Sequence, residues 1–359
     1  MNGTVLRIAV AGGLVAAGLQ TGASAAKADA LADMYSKKGV TLIIGTPVGG
    51  AYDVHGRAVA RHIGHHIPGK PRVIVQNKQG AGSQVVAAYV HNVAPQDGTV
   101  IAALLSTLPM RQAIGRTRKT FDVRTLQWIG NVTNDVSVLI VWNAATKART
   151  VEDLREMTVV AGATTATGSS ATLPRAMNYA LGTKLKVVIG YQGGLAVDHA
   201  LEKGEVAARA GGNWSVLRSQ FPHWIKDNKI TVVMQIGGHK AKGLEKVPLM
   251  HEIARTEEER QVLEFFSTAN DVGKPLAVGP KVPAATLKAL RAAFDATMKD
   301  PAFLADAKKQ GLVIDPVGGA DLQKLIAKIA NSPKGVTEAA KKIFGKPKKG
   351  KKKKKKKAS

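Results

Sequence analysis

The chain has 359 residues, enough for two domains of ordinary size, and 45% of them are apolar, so it can form a packed core and does not have the composition of a disordered protein. Aromatic residues make up only 4%, which argues against a lectin that stacks sugars and a protein that stacks single-stranded bases. The formal charge is +26, and the absence of cysteine excludes disulfides and thiol chemistry.

The first 25 residues have the pattern of a signal peptide. Arg7 is the only charge before an apolar run over 8–19, and Ala23-Ser24-Ala25 forms an A-x-A cleavage site. A run of about a dozen residues is too short for a bilayer of about 30 Å, so a cleaved signal peptide (1–25) is favoured over a membrane anchor. No cysteine lies at the cleavage site, which excludes a lipoprotein. We expect a soluble mature protein in the periplasm.

The next part of the chain alternates short apolar runs with helical patterns. The patterns predict strands over 40–45, 71–76 and 99–104, separated by helices over 53–66 and 84–93. A β-α-β-α-β order is typical of a mostly parallel sheet with helices on both faces.

The remainder continues in the same style and then becomes helical. Further strands are predicted over 136–142, 159–161, 186–190, 206–209, 230–236 and 276–278. Helices are predicted to open at 151–155 and to cover 256–266, 283–299 and 321–329. The sequence therefore predicts the α/β class throughout.

Five polar, glycine-rich loops follow predicted strands, at 46–53, 79–83, 162–170, 191–194 and 211–213. Ligands of open α/β sheets bind beyond the carboxyl ends of strands, and glycine lets the backbone approach a ligand closely. One such loop is an ordinary turn, whereas five indicate a ligand cleft. The candidate ligand-binding residues lie in these loops or just after strand 99–104: Thr46, Gly49, Gly50, Ala51, Tyr52, Asp53, Ala81, Gly82, Ser83, Ser106, Thr107, Thr164, Thr165, Ser169, Ser170, Tyr191, Gln192, Gly193, Gly212 and Asn213.

Asp53 opens the first predicted helix. Aspartate is a preferred N-cap, so this role is favoured over that of a catalytic acid. In a binding protein the same carboxylate could also accept a hydrogen bond from a ligand.

Motifs of metal sites and enzymes are missing. His62, His65 and His66 share one predicted helix, but no cysteine or acidic residue has ligand spacing, which favours exposed or half-buried histidines over a metal site. Gly80-Ala81-Gly82 lacks the third glycine of a dinucleotide loop, and neither G-x-S-x-G nor a P-loop occurs. We therefore predict no catalytic residue, no metal and no cofactor.

The carboxyl-terminal segment 346–359 is lysine-rich. It contains ten lysines between Lys346 and Lys357 and no acidic residue. Its composition is typical of a solvated, disordered end. The alternative is a weak tether to an anionic surface, at about 1 kcal/mol per lysine near such a surface. Nucleic acid is not expected as a partner of an exported protein.

Short motifs in a fixed order resemble a known family, the periplasmic substrate-binding receptors of tripartite tricarboxylate transporters, also called Bug receptors. Each motif alone is weak, but the ordered set is specific and extends from Val40 to Ile326. The motifs are 48–53, Asn77-Lys78-Gln79-Gly80-Ala81-Gly82-Ser83, Ala94-Pro95-Gln96-Asp97-Gly98-Thr99, Tyr191-Gln192-Gly193-Gly194, Val282-Pro283-Ala284, Asp300-Pro301-Ala302-Phe303 and Pro316-Val317-Gly318-Gly319.

The resemblance implies the type II periplasmic-binding fold, with a discontinuous first lobe over 38–138 and 272–332 and a second lobe over 139–271. It also implies that a small carboxylate binds between the lobes, enclosed by loops 46–53 and 191–194. Backbone N–H groups, hydroxyls and water would hold it, rather than an arginine clamp.

The expected function is that of an exported solute receptor, not an enzyme. It would capture a small organic carboxylate and deliver it to the membrane subunits of a tripartite tricarboxylate-type transporter. The alternative is a periplasmic sensing module that presents its bound ligand to a membrane signalling partner.

Overall fold

The structure is a computed structural model that describes residues 29–134, 136–166 and 168–345. The predicted signal peptide (1–25) and lysine-rich tail (346–359) lie outside the described residues. The chain divides into two compact units. The first contains the chain up to Leu104, Thr125–Gly130 and Leu276–Gln310, and the second contains Leu105–Arg124, Asn131–Pro275 and the chain from Gly311. The lobe boundaries given above, 38–138 with 272–332 and 139–271, stay a prediction.

Strands and helices alternate along the described residues, as expected for the α/β class. The strands are β1 (Val40–Ile44), β2 (Val73–Asn77), β3 (Val100–Ala103), β4 (Gln127–Asn131), β5 (Ser137–Trp142), β6 (Val159–Ala163), β7 (Leu185–Ile189), β8 (Ala208–Asn213), β9 (Ile230–Ile236), β10 (Pro275–Val278) and β11 (Val317–Gly318). The helices are α1 (29–38), α2 (Ala51–Ile63), α3 (Gln84–Asn92), α4 (Leu108–Ala113), α5 (Val151–Glu156), α6 (Ser169–Leu181), α7 (Gly194–Glu202), α8 (Trp214–Gln220), α9 (Pro222–Lys226), α10 (Glu257–Val272), α11 (Ala284–Thr297), α12 (Pro301–Lys309), α13 (Gly319–Ala330) and α14 (Lys334–Phe344).

The sheet of the first unit places its strands in the order β4-β10-β3-β1-β2. Strand β1 is parallel to both β2 and β3, which confirms the parallel arrangement predicted for these strands. At its carboxyl end, Ile44 pairs with Asn77 of β2. The loops that follow β1 and β2 therefore leave the sheet at the same edge.

The sheet of the second unit has five strands in the order β7-β6-β8-β5-β9. Strand β6 is parallel to β7 and β8, whereas β5 is antiparallel to β8 and β9. The carboxyl ends of β6, β7 and β8 consequently share one edge, from which α6, α7 and α8 begin.

The prediction for β8 was wrong in its position. The strand extends through Gly211, Gly212 and Asn213, which were expected to form a loop after a strand over 206–209. The ladder continues because Gly212 and Asn213 pair with Val138 and Ser137 of β5. Glycine weakens an isolated strand, but here the neighbouring strand determines its conformation.

Several helices differ from their predicted lengths. Helix α10 begins as expected after Thr256, which forms a complete capping box with Glu259, but it continues to Val272, beyond the predicted end at 266. The elements that were not predicted are helices α1, α4, α7, α8, α9, α12 and α14 and strands β4 and β11. No helix among the residues that the structure describes is long and apolar enough to cross a membrane.

Candidate functional site

The first glycine loop connects β1 to α2 in the first unit. Helix α2 begins at Ala51, two residues before the predicted start, and its N-cap is Gly50. The prediction that Asp53 is the N-cap was therefore wrong, because Asp53 is the third residue of the helix. Gly49 takes a positive φ of 81°, which glycine adopts without strain, and no side chain caps the helix.

The carboxylate of Asp53 accepts hydrogen bonds from groups of the protein itself. Its side chain is buried and accepts hydrogen bonds from the Gly49 N–H at 2.9 Å, from Arg57 Nε at 3.0 Å and from Asn77 Nδ2 at 2.7 Å. Burial raises the pKa of Asp53, but the hydrogen bonds from Arg57, Gly49 and Asn77 outweigh burial and hold this pKa below its ordinary value. The carboxylate thus ties the loop to α2 and β2.

Ser83 joins the second glycine loop to the first. It is fully buried in a left-handed conformation with φ 64°, and its hydroxyl donates to the Gly45 carbonyl at 3.1 Å. Any β-carbon at Gly45 would lie 2.5 Å from Ser83 Oγ, so the two loops meet only because residue 45 is glycine. The structure therefore brings Ala81, Gly82 and Ser83 beside the loop over 46–53.

Thr46 has an unused hydroxyl in the same loop. The residue is 8% exposed, and its Oγ1 is buried with no hydrogen-bond partner among the described residues. Its carbonyl, by contrast, accepts from Asn77 Nδ2 at 3.1 Å. Because a buried hydroxyl without a partner costs about 1–3 kcal/mol, this atom is the group of the first loop that a ligand would satisfy best.

Ser106 and Thr107 precede the short helix α4, and both are half-buried. Thr107 is the N-cap, and its side chain makes no capping hydrogen bond. Both residues belong to the second unit.

In the second unit, the loop between β6 and α6 is organised by its own hydroxyls. Ser170 Oγ accepts from the Thr164 N–H at 3.1 Å, and Thr165 Oγ1 accepts from the Gly168 N–H at 3.1 Å. Ser169 begins α6, whose N-cap, Gly168, offers no side chain. Thr164, Thr165 and Ser170 therefore hold the loop together.

The loop between β7 and α7 carries Tyr191, Gln192 and Gly193. The ring of Tyr191 is half-buried against a hydrophobic cluster that includes Leu201 and Val206. Gln192 is exposed, and its amide donates to the Gly190 carbonyl at 3.2 Å. Gly193 is the N-cap of α7 with φ 96°, again without a side-chain cap.

Strand β8 brings these two loops together. A β-carbon at Gly211 would lie 3.3 Å from Ser169 Oγ, and one at Gly212 would lie 3.2 Å from Arg209 Cζ. The same guanidinium reaches α7, since its Nη2 is 2.8 Å from the position of a β-carbon at Gly194. Asn213, at the end of β8, accepts through Oδ1 from Ser137 Oγ at 3.2 Å.

Sequence reasoning missed Arg209 and its partner Asp198. Arg209 Nη1 donates to Asp198 Oδ1, and both side chains are largely buried, with exposed fractions of 14% and 4%. Burial raises the pKa of Asp198, although the positive charge of Arg209 opposes the shift. The available indication was a single charge in an otherwise small, apolar strand, Ala207-Ala208-Arg209-Ala210.

His62 in α2 and His66, three residues after the end of α2, have acidic partners in α12 and at its N-cap. His62 Nε2 is 3.1 Å from Asp306 Oδ2, and His66 Nε2 is 2.8 Å from Asp300 Oδ2. Both histidines are half-buried, as expected. Within the ranges that the structure covers, no group of three or more His, Asp or Glu side chains could hold a metal ion.

Comparison with protein families identifies the family of this chain. The sequence profile of the tripartite tricarboxylate transporter family receptor matches residues 57–341. The chain belongs to this receptor family. The resemblance inferred from the glycine-loop motifs is therefore confirmed over most of the receptor, and this family is one of transport receptors.

A curated relative of the receptor is the UPF0065 protein in the gbd 5′ region of Cupriavidus necator. It is 34% identical over 121 residues, which cover 33% of the receptor and 36% of that protein. The alignment thus spans about a third of the relative.

Solved structures match over a longer stretch. A tripartite-tricarboxylate-type solute-binding protein from Polaromonas, without ligand, is 20% identical with a TM-score of 0.65, over 84% of the receptor and 96% of that chain. A protein from Rhodopseudomonas palustris, with adipate, is 15% identical with a TM-score of 0.56, over 84% and 96%. At these identities the likeness shows the fold, and it confirms the predicted fold of a periplasmic solute-binding protein.

Proposed function

We propose that this chain is an exported receptor that captures a small organic carboxylate and delivers it to the membrane subunits of a tripartite tricarboxylate-type transporter. Its membership of the receptor family supports the transport role. The similar fold of the adipate-bound protein from Rhodopseudomonas palustris supports a carboxylate as the ligand class.

The observation that carries the ligand class is the construction of three helix N-termini. Helices α2, α6 and α7 each follow a predicted ligand loop, and each begins at a glycine N-cap that provides no side-chain hydrogen bond. An N-terminus without a side-chain cap presents backbone donors and a partial positive charge, which suit an anion. Helix α5 shows the opposite case, because Thr150 and Asp153 close its N-terminus with a complete capping box.

A thermal-unfolding screen tests the proposal. The purified mature chain is unfolded in the presence of acetate, succinate, adipate and citrate, with the neutral amides of the same acids as controls. A ligand at a hundred times its dissociation constant stabilises the folded state by about 2.7 kcal/mol, which is a readily measured shift. Stabilisation by one or more acids and by none of the amides is expected. Stabilisation by none of the four acids, or equal stabilisation by an acid and its amide, would overturn the ligand class.

Export rests on the sequence of the first 25 residues. We propose cleavage after Ala25, which places the mature receptor in the periplasm. Mass spectrometry of the protein released from the periplasm should give a chain that begins at Ala26. An uncleaved chain that fractionates with the cytoplasm would contradict this localisation.

A further inference from the structure

Arg209 is an arginine of the second unit that adjoins the predicted ligand loops, as Arg175 also does through the Ala166 carbonyl. It lies in β8, beside the first residue of α7, Gly194, and beside Gly212. Its side chain is only 14% exposed, so its guanidinium is largely removed from bulk water. A charge in such a position needs hydrogen-bond partners, because desolvating it is costly.

The protein supplies only part of those partners. A guanidinium has five N–H donors. In Arg209, Nη1 donates to Oδ1 of Asp198. The Nε and Nη2 groups have no acceptor among the described residues. These two groups form one edge of the guanidinium, and this edge has the fork geometry that matches a carboxylate with two parallel hydrogen bonds.

Arg149 and Arg155, two half-buried arginines of the same unit, differ in this respect, whereas Arg175 has a single carbonyl acceptor, Ala166, and no acidic partner among the described residues. Arg149 donates through Nη1 to the carbonyls of Thr146 and Ala148, and through Nη2 to the carbonyl of Asn143. Arg155, with 17% of its side chain exposed, donates from Nε to Leu181 O and from Nη1 to Glu152. The donors of Arg149 and Arg155 make several hydrogen bonds within the protein. Most donors of Arg209 make none with the described residues.

The unused edge of the Arg209 guanidinium lies beside two glycines, Gly194 and Gly212, which have no side chains. A β-carbon at Gly194 would approach Nη2 to 2.8 Å, and one at Gly212 would approach Nε to 3.3 Å. Both positions are glycine, so the backbone comes close to the guanidinium without covering it with a side chain. The Tyr191–Gly194 loop, proposed above as part of the ligand site, ends at this point.

We propose that Arg209 binds a carboxylate group of the transported solute through its Nε and Nη2 groups, while Asp198 holds the guanidinium in place. This inference rests on the proposed function, and it differs from the expectation that backbone donors bind the anion without an arginine. Arg209 thereby makes the receptor selective for solutes with a charged carboxylate over their neutral amides.

Titration calorimetry on purified variants tests the role of Arg209. The probe is the acid that binds the wild-type chain most tightly among acetate, succinate, adipate and citrate, together with its amide. Truncation of one partner of a buried charged pair typically costs 2–5 kcal/mol, so Arg209→Gln should weaken binding of the acid by roughly 30-fold or more. Binding of the amide should change far less.

Two further variants separate binding from structure. Arg209→Gln alone leaves Asp198 as a buried unpaired charge and can destabilise the fold, so the double variant Asp198→Asn/Arg209→Gln removes both charges together. The double variant should fold and should still have lost affinity for the acid. Arg155→Lys, in which a similarly buried arginine away from the loops is changed, should bind the acid as the wild type does.

The outcomes distinguish the role of Arg209 from the proposed function. A folded double variant that binds the acid with wild-type affinity would overturn the role of Arg209 and leave the proposed function intact. Failure of all four acids to bind the wild-type chain would overturn the proposed function, and the role of Arg209 with it. Loss of affinity in both Arg209 variants, with Arg155→Lys unaffected, establishes the inference.

Discussion

The two units use an arginine beside a glycine loop in different ways. In the first unit, Arg57 donates from Nε to Asp53 and from Nη2 to Asn77, so its charge is balanced within the protein. In the second unit, Arg209 donates to one acceptor, Asp198, and its other edge has no acceptor among the residues that the structure describes. The charges of the first loop are therefore used in its own assembly, whereas Arg209 keeps donors that the described residues do not use.

This difference explains what each loop offers to a solute. In the first loop, the carboxylate of Asp53 is already hydrogen bonded, and the unused group is the neutral hydroxyl of Thr46. In the second unit, the unused group is a cation.

The largest expected effect is on stability and concerns Asp53. Because Asp53→Ala leaves the Gly49 N–H, Arg57 and the Asn77 amide without their shared acceptor, we expect the free energy of unfolding to fall by roughly 3 kcal/mol. Chemical denaturation measures this change. The matched control is Asp227→Ala, at an exposed carboxylate 3.6 Å from Lys229, which should alter stability by less than about 0.5 kcal/mol. Equal effects of the two variants would contradict a structural role for Asp53.

The pH dependence of stability should differ in sign between the two acidic residues. The pKa of Asp53 is lowered in the folded state, so its contribution is present above the unfolded-state pKa of about 3.9 and is lost as the pH falls through the folded-state pKa. The pKa of Asp198 is raised, so its contribution is present below about 3.9 and is lost as the pH rises through the folded-state pKa.

Denaturation of wild type, Asp53→Asn and Asp198→Asn between about pH 3 and pH 7 tests this contrast. The stability difference between wild type and Asp53→Asn should grow with rising pH, and the difference for Asp198→Asn should shrink. Slopes of the same sign would refute the account of one of the two residues.

Thr46 should affect ligand binding, and its replacement by valine should not lower the stability of the free protein. Since its Oγ1 bonds to no described group, Thr46→Val removes no hydrogen bond of the free protein, but it should weaken carboxylate binding about fivefold, as expected for one hydrogen bond of about 1 kcal/mol. The control is Thr297→Val, because the fully buried Thr297 hydroxyl donates to Ala293 at 2.6 Å. Thr297→Val should lower stability and spare affinity. Lower stability with unchanged affinity in Thr46→Val would contradict a role of Thr46 in ligand binding.

The smallest effect on solute binding is expected from the lysine-rich segment. We propose that residues 346–359 form a weak contact with anionic surfaces, separate from both sets of loops. Deletion of 346–359 should reduce sedimentation of the receptor with vesicles that contain anionic lipid, and calorimetric affinity for a carboxylate should stay the same. Equal vesicle binding by the full-length and shortened chains would end this proposal.

Much of the candidate site could be predicted because its determinants are local. Apolar runs followed by glycine and hydroxyl residues place the loops after β1, β2, β6 and β7, and the parallel pairing of β1 with β2 then brings the first two loops together. The capping role of Asp53 was predicted wrongly because the side-chain preference for aspartate says nothing of Gly50, whose extended backbone serves as the N-cap.

The missed features depend on tertiary contacts. Gly211 and Gly212 read as a turn from sequence, but the ladder with β5 keeps them in β8. Arg209 and Asp198 are 11 residues apart, on a strand and a helix, so their pairing follows from packing and not from spacing. The unused edge of Arg209 can be recognised only when every neighbouring acceptor is known.

The most direct test of the central claim is the affinity of the wild-type receptor for an acid and for its neutral amide, measured by titration calorimetry on pairs such as adipate and adipamide. If the loops bind a carboxylate through helix N-termini and a largely buried arginine, the acid should bind roughly 30-fold or more tightly than the amide, as expected for loss of a buried charged partner. Equal binding of acid and amide, or binding of neither across the acetate, succinate, adipate and citrate pairs, would contradict the claim that this chain is a carboxylate receptor.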